Sequence, residues 1–96
     1  MPGIWTHGIW TVKQGREEEF IDGWRELVPI GIRHGGEEPK LLRNQDRPNV
    51  FRSFGRWADD AAVERFREEI RPRVGALNEL LESAELVTLD EVYPDD

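Results

Sequence analysis

Alternating and helical patterns of apolar residues follow one another along the chain and predict an ordered series of elements. Residues 4–13 are rich in β-branched and aromatic side chains and predict a strand. Apolar groups fall on both faces of that strand, so both faces are expected to be covered. Residues 16–34 follow a helical period and predict a helix that starts with three glutamates. The apolar stripe of this helix comprises Phe20, Trp24, Leu27, Val28 and Ile32.

The second half of the chain predicts a hairpin, a helix and a last strand. Residues 40–45 and 50–57 read as strands, joined by a turn at 46–49 in which Pro48 presets the backbone. An N-cap within 58–60 opens a helix that is expected to run to about Ser83. Residues 85–93 predict the final strand.

Prolines and glycines mark the expected interruptions. Pro29 should kink or end the first helix because it lacks a backbone donor. Pro72 and Gly75 predict a kink or short break in the second helix near 71–73. The stretch from Gly31 to Pro39 is expected to be a loop.

The order β-α-β-β-α-β predicts an α+β fold of the ferredoxin-like type, as one domain over residues 1–96. Such a fold has a four-stranded antiparallel sheet with two helices on one face, which leaves the other face bare. A chain of 96 residues with four Trp and four Phe leaves apolar surface for a partner to cover. We therefore expect a homodimer.

Composition excludes several classes of function. The net charge of −7, from 20 acidic and 13 basic residues, disfavours nucleic acid and anionic membranes as partners. The chain has no cysteine, which excludes disulfides and a thiolate nucleophile and fits a cytoplasmic setting. No apolar run approaches the ~20 residues of a membrane span. No secretory signal and no metal-ligand spacing is found, so no metal is expected.

Two segments resemble antibiotic biosynthesis monooxygenase domains. Residues 8–20, continued by Trp24, are similar to the first strand, glycine turn and helix start of that family. Residues 41–43 and 48–61 are similar to its central hairpin, which ends in a strand-terminal tryptophan, here Trp57. The match covers nearly the whole chain and concerns strand ends and helix starts.

The resemblance implies a dimeric α/β barrel, a homodimer with a back-to-back sheet core, and a cleft between the helices and the sheet. Family members with known chemistry oxidise phenols, anthrones or quinols with O₂ and use no metal or flavin, so no cofactor is expected. Other members degrade haem, with an Asn on the first strand and a His on the second helix. This chain has Thr or Gly at that strand position and no His between Ala58 and Ser83, which counts against haem degradation.

Seven residues are candidates for the site. The catalytic candidates are His7, Asn44 and Trp57, and the substrate-binding candidates are Phe51, Ser53, Trp24 and Arg52.

Each candidate also has a purely structural interpretation. An imidazole can act as a general base, so His7 and His34 are both candidates. His7 also suits a partly buried, hydrogen-bonded structural role, and His34 suits a helix end, where it complements the dipole. Asn44 can donate to a phenolate or remain solvated near the turn. Trp57 can hold an aromatic substrate or anchor a strand–helix junction.

Strand 50–57 carries the remaining candidates. Ser53 and Gly55 lie between Phe51 and Trp57 on one face, and these small residues leave a void for a flat ligand or a helix side chain. Arg52, on the other face, can bind an anionic substrate or form ion pairs across a dimer.

Two functions follow from these observations. The first is a cofactor-independent monooxygenase that acts on a small aromatic or polyketide-like phenol or quinol. The alternative is a non-catalytic dimeric domain for small-molecule binding or assembly, which is favoured by the lack of a convergent acid–base constellation.

Overall fold

The computed structural model describes residues 3–94. Its elements in chain order are β1 (Ile4–Val12), α1 (Glu17–Arg33), β2 (Glu37–Arg43), β3 (Val50–Trp57), α2 (Asp60–Asn78) and β4 (Leu81–Asp90). The four strands form one antiparallel sheet in the order β2-β3-β1-β4. This arrangement confirms the predicted ferredoxin-like α+β fold.

One face of the sheet packs against both helices and carries the main core. Val12, Phe20 and Phe51 are fully buried there, and Leu77 and Leu80 join them from α2 and the turn that follows it. Burial of each of these side chains contributes about 1.5–3 kcal/mol relative to exposure. Because side chains alternate along a strand, the residues of β1 that lie an even number of positions from Val12 also face the helices. The same holds for the residues of β3 an even number of positions from Phe51.

The opposite face, called the open face below, is turned away from both helices. Its side chains include Trp5, His7, Ile9, Lys40, Leu42, Arg52, Phe54, Arg56, Glu85, Val87 and Leu89. Most of its centre is apolar, and Leu42 and Leu89 are among the most exposed large hydrophobic residues in the described chain.

Both helices begin where the sequence provides a start signal. Gly15 adopts a φ of 89°, which a side chain would strain, and turns the chain out of β1. Three glutamates occupy the first turn of α1. Asp59 caps α2 by accepting a hydrogen bond from the Ala62 backbone N–H at 2.9 Å.

Neither a helix end at Pro29 nor a helix break at Pro72 is found. α1 continues past Pro29 to Arg33, and α2 runs without a break through Pro72. Both prolines are exposed, and each removes only one backbone hydrogen bond. Burial of Ile30 and Ile70 beside them holds each helix together.

Two element boundaries also differ from the prediction. The predicted loop from Gly31 to Pro39 is replaced by the end of α1 and the start of β2, which an irregularity between Glu37 and Lys40 accommodates. α2 ends at Asn78, and Leu81 is already in β4. Leu81 fits a helical stripe equally well by spacing, but its pairing with Val12 places it in the sheet.

A polar cluster anchors the end of β4 to the open face. The Glu91 carboxylate accepts hydrogen bonds from the Trp5 indole and from the Arg56 guanidinium, both at 2.9 Å. The indole N–H, and then the guanidinium, hold the pKa of Glu91 below its usual range. Arg56 also lies 3.6 Å from Glu37.

Candidate active site

A cleft lies between the helices and the helix-facing side of the sheet, and small residues form its floor. Gly8 pairs with Ser53, and Thr6 pairs with Gly55, in two successive rows of β1 and β3. No large side chain rises from either row. The small residues therefore leave room for other side chains or a ligand to approach the sheet at these two rows.

Two tryptophans stand at the ends of this floor and lean toward each other. The Trp10 indole N–H donates to the Ser53 hydroxyl at 2.9 Å, and the Trp57 indole N–H donates to the Thr6 hydroxyl at 3.0 Å. Both indole donors are thus satisfied by floor residues, which fixes the orientation of each ring. The Trp10 ring lies against Gly8 and the Trp57 ring against Gly55, so the two indoles cover part of the floor. The part of the cleft that both rings line is called the slot below.

The helices supply the walls of the cleft. From α1 and α2 come Trp24, Leu27, Val28, Gly31, Ile32, Val63, Phe66, Arg67 and Ile70. The enclosed volume is about 160 Å³. An apolar cavity of about 150 Å³ holds one benzene ring, so this space is on the scale of a single aromatic ring. Ile32 and Leu86 line the cleft and are 57% and 58% exposed, so they lie at its mouth.

Arg67 brings a charge to this otherwise apolar lining. It follows Val63 by four residues and precedes Ile70 by three, so it flanks the buried stripe of α2. Its Nη1 lies 3.2 Å from the Glu64 carboxylate, one turn earlier on the same helix. Within residues 3–94, no acidic side chain lines the cleft.

The structure brings three of the predicted site residues together. Trp24, Ser53 and Trp57 all line the cleft, from α1, the floor and the end of β3. Trp57 is 5% exposed, and its ring centroid lies 5.1 Å from that of Phe66. It therefore serves both as the strand–helix anchor and as a wall of the cleft.

His7 contributes to the cleft lining, but its imidazole lies on the open face. The ring stacks on Phe54 with a centroid distance of 4.6 Å and an interplanar angle of 10°. Its Nε2 is buried without a hydrogen-bond partner among the described residues. The sheet therefore separates this imidazole from Trp57 and from the slot.

The other predicted residues lie outside the cleft. The Asn44 side chain accepts from the Asp46 and Arg47 backbone N–H groups and so closes the β2–β3 turn. Phe51 belongs to the main core, and Arg52 is exposed on the open face.

The second histidine is placed at the far end of α1. The His34 imidazole lies 2.7 Å from the Glu69 carboxylate, which also contacts Arg33. The hydrogen bond with His34, and then that with Arg33, lowers the pKa of Glu69. This cluster ties the end of α1 to α2, a tertiary contact that differs from the helix-dipole role expected for His34.

Sequence reasoning missed Thr6, Gly8, Trp10 and Arg67. Apolar residues on both faces of β1 hid the parity that places Thr6, Gly8 and Trp10 toward the helices. Arg67 stands among the alternating arginines and glutamates of α2, a pattern typical of a solvated helix face. Its helical spacing from Val63 and Ile70 was the available signal.

The described residues contain no group of three or more His, Asp or Glu side chains placed to hold a metal ion. No helix within residues 3–94 combines the length and apolar character needed to cross a membrane.

Comparison with known families gives one match. The family described as antibiotic biosynthesis monooxygenase matches residues 7–69, a stretch that includes Gly8, Ser53, Trp57 and Arg67. A comparison with curated proteins finds no significant match.

Solved structures share the fold over almost the whole chain. PA3566 from Pseudomonas aeruginosa is 25% identical, with a TM-score of 0.83 and coverage of 96% of both chains. A variant of SnoaB, a cofactor-independent oxygenase from Streptomyces nogalater, is 22% identical, with a TM-score of 0.85 and coverage of 97% of this chain and 98% of its own. SO0527 from Shewanella oneidensis is 22% identical, with a TM-score of 0.79 and coverage of 94% and 91%.

Proposed function

Because the chain belongs to the antibiotic biosynthesis monooxygenase family, we propose that it is a cofactor-independent monooxygenase that oxidises a small aromatic or polyketide-like phenol or quinol with O₂. The observation that carries the proposal is the slot between Trp10 and Trp57, above a floor of small residues. The lining of the cleft is mostly apolar and aromatic, which suits the faces and edges of an aromatic ring. The similarity to SnoaB, a cofactor-independent oxygenase, supports the same chemistry.

The reaction balances without a cofactor. A phenol or quinol loses an O–H proton to give a phenolate. A ring carbon that bears hydrogen, para to the oxygen in a phenol or ortho to it in a quinol, is then electron-rich. One atom of O₂ forms a new C–O bond at that carbon, the C–H proton leaves, and the second oxygen atom departs as water. The product is a quinone, and the substrate supplies all the electrons that reduce O₂.

The chain's own residues bind and orient the ring in this scheme. Trp24 and Trp57 contact the faces or edges of the ring from the walls. The Ser53 hydroxyl accepts from Trp10, so its own proton is available to a substrate oxygen. The imidazole of His7 lies across the sheet, so the cleft favours substrates acidic enough to ionise in water before they bind.

Oxygen uptake tests the proposal. Protein is incubated without oxygen with a panel of single-ring and fused-ring quinols, phenols and anthrones, and air is then admitted. We expect uptake faster than in buffer, with the quinone appearing in step. No acceleration for any compound, with folded protein present, would overturn the proposal.

A pair of glycine variants links any activity to the cleft. At Gly31 a Cβ would already touch Phe66 and Trp57 at 3.5 Å, so Gly31→Leu fills the cleft from α1 and should abolish uptake. At Gly75 no atom lies within 4 Å of a Cβ, so Gly75→Leu is the matched control and should keep it. Circular dichroism of both variants checks that they fold.

A non-catalytic binding domain is the second candidate function. It is favoured by the absence of a carboxylate and of an inward-facing imidazole in the described lining of the cleft. In that case Gly31→Leu would still prevent ligand binding, but oxygen uptake with the wild-type protein would match that in buffer.

We also propose that the open face pairs with a second copy of the chain. Its apolar centre is flanked by Arg52 on β3 and Glu85 on β4, which lie in one row with Ile9 between them. A two-fold axis parallel to the strands and above β1 would set Arg52 against Glu85 of the partner subunit, and symmetry would repeat the pair. Neither charge has an ion pair within the described part of the chain, so both are available to a partner.

A further inference from the structure

We infer that the cleft takes its aromatic ligand as an anion, with the negative oxygen at the mouth against the Arg67 guanidinium and the ring inward between Trp10 and Trp57. This inference rests on the proposed function, because it names the charge state and orientation of the ligand in the same cleft. It concerns binding, and its test requires no turnover.

The first observation is the distribution of charge in the lining. The floor and walls are aromatic, aliphatic or hydroxyl-bearing, and Arg67 supplies the permanent charge among the described lining residues. An anion placed in an apolar site loses its hydration and needs a counter-charge. Within this cleft, that counter-charge comes from the α2 side.

The second observation is that the indole donors are already used. Trp10 and Trp57 donate to Ser53 and Thr6, and the Thr6 hydroxyl in turn lies 3.5 Å from the Gly55 carbonyl. The interior of the slot therefore offers ring surfaces and one free hydroxyl proton, that of Ser53. It suits the neutral part of the ligand and leaves the charged oxygen to the guanidinium.

The third observation is that Arg67 can exchange its present partner at little cost. Its ion pair with Glu64 is an exposed contact within one helix, with side chains 41% and 69% exposed. Pairs of this kind contribute little to stability. Arg67 also holds further N–H donors in a planar fork, so it can bind a ligand oxygen while it keeps Glu64.

The cleft has a volume of about 160 Å³, on the scale of a single aromatic ring, so we take a one-ring ligand as the simplest case. The ring with its anionic oxygen can be a phenolate or an aromatic carboxylate, since both present the same charge-assisted acceptor. The shared chemistry is thus a one-ring aromatic anion. Larger substituents would have to extend past Ile32 and Leu86 into solvent.

Calorimetric titration with three one-ring probes tests the inference: 4-nitrophenolate, benzoate and neutral nitrobenzene. Wild type should bind at least one of the anions about tenfold more tightly than nitrobenzene. Arg67→Gln should lose about that tenfold for the anion and stay within about twofold for nitrobenzene, since a charge-assisted hydrogen bond is worth roughly this factor. Arg67→Lys should retain part of the preference.

Arg65→Gln is the matched control, because Arg65 is an exposed arginine of the same helix that does not line the cleft. It should bind every probe as wild type does. Glu64→Gln, which removes the present partner of Arg67, should bind the anion at least as tightly as wild type.

Absorbance of 4-nitrophenol provides a second readout that a purely structural role would not move. With wild type, the pH at which half of the bound probe is ionised should be lower than in buffer. With Arg67→Gln, this pH should return to the value in buffer. Tighter binding of 4-nitrophenolate would indicate that the anionic oxygen belongs to a phenolate. Tighter binding of benzoate would indicate that it belongs to a carboxylate.

The inference is overturned if nitrobenzene binds as tightly as both anions, if Arg67→Gln weakens all three probes equally, or if no probe binds wild type. None of these results depends on oxygen uptake. A protein that binds the anions through Arg67 but consumes no oxygen keeps the inference and loses the proposed reaction.

Discussion

Gly8 is the position at which the cleft has least tolerance for added volume. A Cβ at this residue would lie 2.6 Å from Nε1 of Trp10 and 2.8 Å from Oγ of Ser53. These two atoms form the hydrogen bond that crosses the residue, at 2.9 Å. Gly8→Ala therefore forces the indole away from its acceptor.

The cost follows from the two interactions that change. The added methyl group comes about 0.8 Å closer to the indole than ordinary van der Waals contact begins, and overpacking of this kind costs about 1–3 kcal/mol. An indole N–H left without an acceptor in an apolar cleft adds about 1–3 kcal/mol. The lower entropy of the unfolded alanine chain offsets about 0.4–1 kcal/mol. We expect a net loss of about 1–5.5 kcal/mol.

Urea unfolding followed by circular dichroism at one fixed protein concentration measures this loss. Gly75→Ala is the control, because Gly75 lies exposed in α2 with open space around it and should gain about 0.5–1 kcal/mol. Gly8→Ala in a Trp10→Phe background should cost less, since the phenyl ring lacks the indole atoms that the methyl group meets. If Gly8→Ala were as stable as wild type while Gly75→Ala behaved as expected, the placement of the indole over Gly8 would be refuted.

Two further predictions concern the open face. The folded-state pKa of Glu91 is lowered. Its contribution to stability is therefore present above the unfolded pKa and is lost as pH falls below about 4. The difference in unfolding free energy between wild type and Glu91→Gln should shrink from pH 7 to pH 3, and a constant difference would contradict this reasoning. Arg52→Glu and Glu85→Arg should each weaken dimerisation at low salt by about tenfold, and the double variant should restore it, as measured by analytical ultracentrifugation. A double variant that dimerises no better than either single variant would rule out this pairing.

The element order and the helix-facing side of β3 were readable from the sequence. Alternation and helical period gave all six elements, and the small residues Ser53 and Gly55 beside Trp57 indicated a void that the structure places in the cleft. These features are local, so propensity and spacing determine them.

The parts that failed depend on tertiary contacts. β1 carries apolar groups on both faces, so its parity was undecided until Val12 was seen in the core. That ambiguity allowed His7 to be considered with Trp57, although the sheet separates the imidazole from the indole. Arg67 was missed because an arginine among glutamates on a helix looks solvated, and only packing shows that it reaches a cleft.

The positions of the four tryptophans give the chain two optical reporters. Trp10, Trp24 and Trp57 line the cleft, whereas Trp5 lies on the open face with its indole bonded to Glu91. Emission from the first three therefore responds to occupancy of the slot, and emission from Trp5 responds to anything that covers the open face. A Trp5→Phe variant reports on the slot alone, so comparing its titration with that of wild type separates ligand binding from subunit association, with no added label.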